Sequence, residues 1–133
     1  MYRVLFADDE SSIRRGIKCL LDWESMGFST DYEAENGQEA LDIIKKYNPD
    51  LILLDLHMPD MDGFEVMEKL NASNNWKDIP VILLTADNDP DYEVKGFSLG
   101  AIDFITKPFV AEVMLHRVAK ALELSRLRKL VSS

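Results

Sequence analysis

Three carboxylates, a hydroxyl and an amine stand where short apolar runs of this chain end. The run 4–7 leads into Asp8 and Asp9, the run 51–54 ends on Asp55, the run 81–84 ends on Thr85, and the run 102–106 leads into Lys107 and Pro108. Groups of these types, if brought together, handle phosphate. Two carboxylates about 5 Å apart repel by roughly 3 kcal/mol at an effective dielectric of about 20. Something must offset that, and the candidates are Lys107 and a divalent cation. Carboxylates, a backbone carbonyl and waters suit Mg²⁺, which takes few protein ligands. A carboxylate beside such a cation can act as a nucleophile toward phosphorus. The cation and a lysine would neutralise charge on the moving phosphoryl group. A hydroxyl such as that of Thr85 would then hydrogen-bond a phosphoryl oxygen.

The elements that must position these groups are readable in outline. Near-continuous apolar runs of four or five residues read as strands buried on both faces of a parallel sheet. In an open parallel sheet the functional crevice lies at the carboxyl ends of the strands. Helical patterns alternate with the strands. Ser11 and Ser12 read as helix caps, followed by Ile13, Ile17, Leu20 and Leu21 at helical spacing. A weaker strand is expected near residues 30–34, and Asn36 with Glu39 has the spacing of a capping box ahead of Ala40, Leu41 and Ile44. Asp62 and Gly63 open a third helix, and Asp89 followed by Pro90 starts a fourth, which Gly100 ends. A fifth helix follows Pro108. The order βαβαβαβαβα implies right-handed crossovers with helices on both faces of an α/β fold.

The 133 residues fit one domain with a substantial core. A formal net charge of −9 sets the domain as a whole against direct binding of nucleic acid or an anionic membrane. No apolar stretch reaches the length of a membrane span, and the first residues read as a strand rather than a signal core. The single cysteine, Cys19, has no disulfide partner within the chain; it is expected to pack beside the apolar stripe of the first helix. A cytoplasmic location is the expectation.

Together the motifs resemble the receiver domain of bacterial two-component response regulators. The resemblance rests on Asp8-Asp9-Glu10, on Asp55 before His57-Met58-Pro59-Asp60-Met61-Asp62-Gly63, on Thr85-Ala86, and on Lys107-Pro108-Phe109. It covers roughly residues 2–123 and implies a flavodoxin-like (βα)5 sandwich with a five-stranded parallel sheet of order 2-1-3-4-5. It further implies that Asp55 is the phosphoacceptor and that Mg²⁺ is the cofactor. Asp9 and Asp55 would hold the ion through side chains, His57 through its backbone carbonyl only, and Asp8 through a metal-bound water. Lys107 would contact the phosphoryl group, with a cis bond to Pro108. Thr85 and Phe104 would form the switch, Phe104 moving from an outward to an inward rotamer. His57 and Asp87, two residues beyond Asp55 and Thr85, would tune the rate of phosphoryl loss. The implied donor is a sensor histidine kinase or a phosphotransfer protein. The domain would be a signalling switch, not an enzyme beyond its own phosphorylation and dephosphorylation.

Other functions compete with this one. A degenerate receiver used only for protein binding is opposed by the complete set Asp8, Asp9, Asp55, Thr85 and Lys107. An aspartate-nucleophile phosphatase of the haloacid dehalogenase type wants a second Asp where His57 stands. A flavodoxin-like cofactor binder wants a phosphate cradle where Asp8-Asp9-Glu10 stands. Residues 1–123 are expected to form the receiver and 124–133 a helical extension or linker to an output domain. The extension carries Leu124, Leu127, Leu130 and Val131 between Arg126, Arg128 and Lys129, a pattern that suits a partner surface or a phosphorylation-dependent homodimer.

Overall fold

The structure is a computed structural model that describes residues 1–86 and 89–132, with Ser132 described by its backbone alone. The expected Asp87 site therefore lies outside the described residues. Five strands alternate with five helices in strict order. They are β1 (Tyr2–Ala7), α1 (Ser11–Leu20), β2 (Phe28–Ala34), α2 (Gly37–Tyr47), β3 (Leu51–Asp55), α3 (Gly63–Asn71), β4 (Val81–Thr85), α4 (Pro90–Ser98), β5 (Asp103–Thr106) and α5 (Ala111–Ser132). The strands are all parallel and lie in the order β2-β1-β3-β4-β5. This is the flavodoxin-like arrangement expected from the resemblance.

Successive strand residues face opposite sides of the sheet, and the core divides accordingly. Leu5, Ile52, Leu54 and Leu83 pack on one side with Leu41 and Ile44 of α2 and Val66 and Leu70 of α3, and the half-buried Tyr92 of α4 packs against this cluster. Val4, Phe6, Leu51, Leu53, Ile82 and Leu84 pack on the other against Ile17, Met114, Val118 and Ala121 of α1 and α5. Every residue of β3 and β4 is buried, which is why those runs carry no polar alternation.

Local signals mostly place the helix ends. Asn36 Oδ1 accepts the Glu39 amide at 2.8 Å, Asp62 Oδ1 accepts the Glu65 amide at 2.9 Å, and Asp89 Oδ1 accepts the Asp91 amide at 2.9 Å. The Glu39 carboxylate accepts the Glu35 amide at 3.3 Å, one residue beyond the cap amide that a reciprocal box would engage. Gly100, at φ +102°, ends the turn after α4 in a conformation other residues avoid.

Three expectations need correction. Ser11 and Ser12 do not cap α1; they lie inside its first turn, and Glu10 is the N-cap with no side-chain cap bond. The cause is Asp8, whose Oδ1 accepts the Glu10 amide at 2.9 Å and turns the chain into the helix at Glu10, one residue before a Ser11 cap and two before a Ser12 cap. Cys19 is exposed rather than packed beside the stripe, because Ile17, Ile13 and Leu20 take the inward positions. Strand β2 begins at Phe28, earlier than residue 30, because the buried Phe28 pairs with Tyr2 and packs edge-on to Trp23 at 5.7 Å.

Candidate functional site

Parallel pairing sets the active groups side by side. Ala7 pairs with Leu54, Asp55 with Leu84, and Thr85 with Thr106. Asp8, Asp55, Thr85 and Lys107 therefore emerge at the same edge of the sheet, although up to 99 residues separate them in sequence.

Lys107 joins them. Its Nζ lies 3.1 Å from Asp8 Oδ2 and 3.2 Å from Asp55 Oδ1. The Lys107 amide donates to the Thr85 carbonyl at 2.7 Å, which extends the β4–β5 pairing one step beyond the strands. The Lys107–Pro108 peptide is cis, as the resemblance implied. Asp8 and Asp55 are 1% and 3% exposed, respectively, and Thr85 is fully buried. Asp9 and Glu10 are exposed.

Electrostatics at this edge are unbalanced. Burial, and next the charge of Asp8, push the Asp55 carboxyl up to about 6, although the Lys107 ammonium pulls the other way. For Lys107, burial works against the charged amine. The Asp55 charge and the bonds to Asp8 and Asp55 overcome it, and the pKa ends above its ordinary value. One ammonium thus serves two buried carboxylates, and a net negative site remains.

That donor set fits a hard cation. Carboxylate oxygens of Asp8, Asp9 and Glu10 all lie within 4.8 Å of one another. The donors are all oxygen, which favours Mg²⁺ over softer metals. Glu10 was not among the metal ligands expected from the sequence, and its carboxylate lies in this group. Among the described residues the group gathered within that distance does not include Asp55, which is joined to Asp8 through Lys107.

The loop after β3 fits tightly. A Cβ on Gly63 would lie 2.7 Å from the Asp55 carbonyl oxygen, so only glycine lets α3 begin this close to Asp55. The Gly63 amide donates to the Leu56 carbonyl at 3.0 Å. His57 is exposed, and its ring stands edge-on to Tyr92 of α4 at 5.7 Å between centroids. Phe104 is buried at 8% exposure within the core cluster that also holds Leu83. Its ring is tilted against Phe97 of α4 at 6.5 Å.

Arg14 was not singled out by the sequence reading. It is buried, and its guanidinium donates to the Asp8 carbonyl at 2.6 Å and to Glu33 Oε1 at 2.9 Å. A single arginine on the polar part of a helix gives no local sign of such a role.

Residues 4–119 match the family described as the response regulator receiver domain. The transcriptional regulatory protein SrrA of Staphylococcus aureus is 44% identical over 115 residues, which is 86% of this chain and 45% of SrrA. The chain thus spans less than half the length of the curated relatives it matches. The receiver domain of AraT, a response regulator from Geobacillus stearothermophilus, superposes with a TM-score of 0.84 at 29% identity, covering 99% of this chain and 98% of that one. The signal receiver domain of a signal transduction histidine kinase from Syntrophus aciditrophicus gives a TM-score of 0.80 at 35% identity, covering 92% and 91%. Among the described residues no helix is long and apolar enough to cross a membrane.

Proposed function

This chain belongs to the response regulator receiver domain family, and from that premise we propose that it is a phosphorylation-dependent switch with Asp55 as its phosphoacceptor. Membership implies phosphorylation-based signalling and a histidine kinase partner. The observation that carries the assignment to Asp55 is the Lys107 ammonium held 3.1 Å from Asp8 and 3.2 Å from Asp55 at the carboxyl ends of β1 and β3.

An Asp55 oxygen attacks the phosphorus of a phosphohistidine. The new bond is O–P, the bond broken is P–N, and the electron pair leaves on the imidazole nitrogen of the donor. Asp55 must be ionised to attack. Its pKa of about 6 leaves it mostly so at neutral pH, with a more basic oxygen than an ordinary aspartate offers. Asp8, Asp9 and Asp55, with the backbone carbonyl of His57, would hold Mg²⁺; the ion supplies charge neutralisation for the phosphoryl oxygens. Lys107, held between Asp8 and Asp55, would contact the incoming phosphoryl group. Thr85, buried beside the site, hydrogen-bonds a phosphoryl oxygen, and Phe104 behind it registers the change at the face formed by α4, β5 and α5.

The finer partners belong to the same reading. The matched relatives are transcriptional regulatory proteins longer than the matched stretch, which supports an output domain on the natural protein. Residues 1–123 would be the receiver and 124–133 the linker helix. Pairing through that helix in a phosphorylated homodimer is part of the proposal. Incubation with acetyl phosphate and Mg²⁺ should add one phosphoryl mass, and EDTA should prevent it. Absence of labelling under saturating Mg²⁺ would favour the binding-module reading instead.

A further inference from the structure

Arg14 is a buried arginine, 7% exposed, and buried guanidinium groups occur where their donors have partners. Its Nη1 donates to the Asp8 carbonyl at 2.6 Å, its Nε to Glu33 Oε1 at 2.9 Å, and its Nη2 lies 3.8 Å from Glu35 Oε1. Glu33 also takes Lys18 at 2.9 Å. For the Glu33 carboxyl, burial works upward, but Lys18 and Arg14 outweigh it and hold the pKa below its ordinary value. The acid therefore stays charged as the other end of a brace between α1 and β2.

The brace acts on the acidic loop. The Asp8 amide donates to the Ala34 carbonyl of β2 at 3.0 Å, so the β1–β2 pairing continues into Asp8. The Asp8 carboxylate is held at Oδ1 by the Glu10 amide and at Oδ2 by Lys107. Its remaining polar group is the carbonyl, and Arg14 holds that. The Asp8 carbonyl and the Asp9 amide belong to one rigid plane. Anchoring the one fixes where Asp9 begins and hence where its exposed carboxylate stands relative to those of Asp8 and Glu10. We propose that Arg14, braced on Glu33, is a positioning residue that sets the Asp8–Asp9 peptide for cation binding and so for phosphorylation of Asp55. This rests on the phosphorylation reading proposed above.

The sign of the effect separates positioning from charge. Arg14 adds a positive charge near an acidic cluster. By Coulomb's law alone, removing it should make a divalent cation bind more tightly. Positioning predicts the reverse. Residues that orient metal ligands typically contribute ten- to a hundredfold to affinity.

The test is calorimetric titration of the unphosphorylated protein with Mg²⁺ at neutral pH. Arg14→Met should weaken binding by about tenfold. Arg14→Lys keeps the charge but cannot span the Asp8 carbonyl and Glu33 together, so it should weaken binding as well. Lys18→Met, which removes the other cation on Glu33, should stay within about twofold of wild type. Unchanged or tighter Mg²⁺ binding in Arg14→Met, full affinity in Arg14→Lys, or an equal loss in Lys18→Met would overturn the proposal. Amide exchange of the metal-free protein provides the independent arm. Exchange at the Asp8 and Glu10 amides should quicken in Arg14→Met while the β3 amides stay protected; unchanged exchange at Asp8 and Glu10 overturns the proposal. If wild type itself binds no Mg²⁺, the phosphorylation reading and this proposal both fall; if wild type binds Mg²⁺ and Arg14→Met binds it equally well, this proposal alone falls.

Discussion

Replacing Asp55 should make the metal-free protein more stable. Asp55 is 3% exposed, and burial with the Asp8 charge raises its pKa from 3.8 to about 6. A raised carboxyl pKa means the fold prefers the neutral acid. Between pH 3.8 and about 6 the folded state binds more protons than the unfolded state, so stability contributed by this group falls as pH rises through that window. Above it the whole cost of the ionised form is present. The gap corresponds to about 3 kcal/mol as an upper bound. Structural relaxation and water at the open strand edge reduce it, and Lys107 loses one of its two carboxylate partners on substitution. Asp55→Asn should therefore gain about 1–2 kcal/mol at pH 7.5 in EDTA, or roughly 3–8 °C in Tm for a domain of this size. At pH 4 the wild-type carboxyl is largely protonated in the fold, so the gain should nearly vanish. The assay is paired urea or thermal unfolding of both proteins across pH 4–7.5. An Asp55→Asn protein that is less stable than wild type at pH 7.5, or a difference that does not change with pH, would refute the electrostatic picture of the site.

Three further outcomes follow from named contacts. Thr85→Ala should leave Asp55 open to phosphorylation but weaken the response of the α4–β5–α5 face, because the phosphoryl group must favour the active state by several kcal/mol to move most of the population; backbone NMR shifts that change as fully as in wild type would contradict this. Alanine at both His57 and Asp87 should alter the phosphoryl half-life several-fold without preventing labelling, since His57 stands exposed two residues beyond Asp55 and against Tyr92; an unchanged half-life removes the role. The 124–132 stretch is tied back to the domain by Ser125, whose hydroxyl donates to the Asp50 carbonyl, and by Lys129, 3.0 Å from the buried Asp50 carboxylate. Changing both to alanine should cost about 1–3 kcal/mol and speed amide exchange in that stretch, and unaltered exchange there would show that other contacts hold it.

What was legible in the sequence follows from the length of each physical signal. Leu51–Asp55 and Val81–Thr85 are buried on both faces, so burial leaves an unbroken apolar run that announces itself. Parallel topology then requires the residues after such runs to share one edge, which is why Asp8, Asp55, Thr85 and Lys107 could be grouped across 99 residues. Asn36, Asp62 and Asp89 act within three residues and were equally readable. The serines failed as caps because Asp8, committed to the strand end, captured the turn first. Arg14 and the Ser125–Asp50 tie were not visible, because a guanidinium reaching back to a carbonyl and a hydroxyl meeting one 75 residues away leave no periodicity behind. Cys19 was misplaced because small apolar residues carry little information about which side of a stripe edge they occupy.

The central claim is that the phosphoryl group resides on Asp55. Borohydride reduction of the protein after treatment with acetyl phosphate and Mg²⁺ converts an aspartyl phosphate to homoserine, which peptide mass spectrometry locates by residue. The account predicts homoserine at position 55 alone, and none when Mg²⁺ is withheld. Homoserine at Asp8, Asp9 or elsewhere, or an Asp55 left unmodified while the protein carries the added mass, would contradict it.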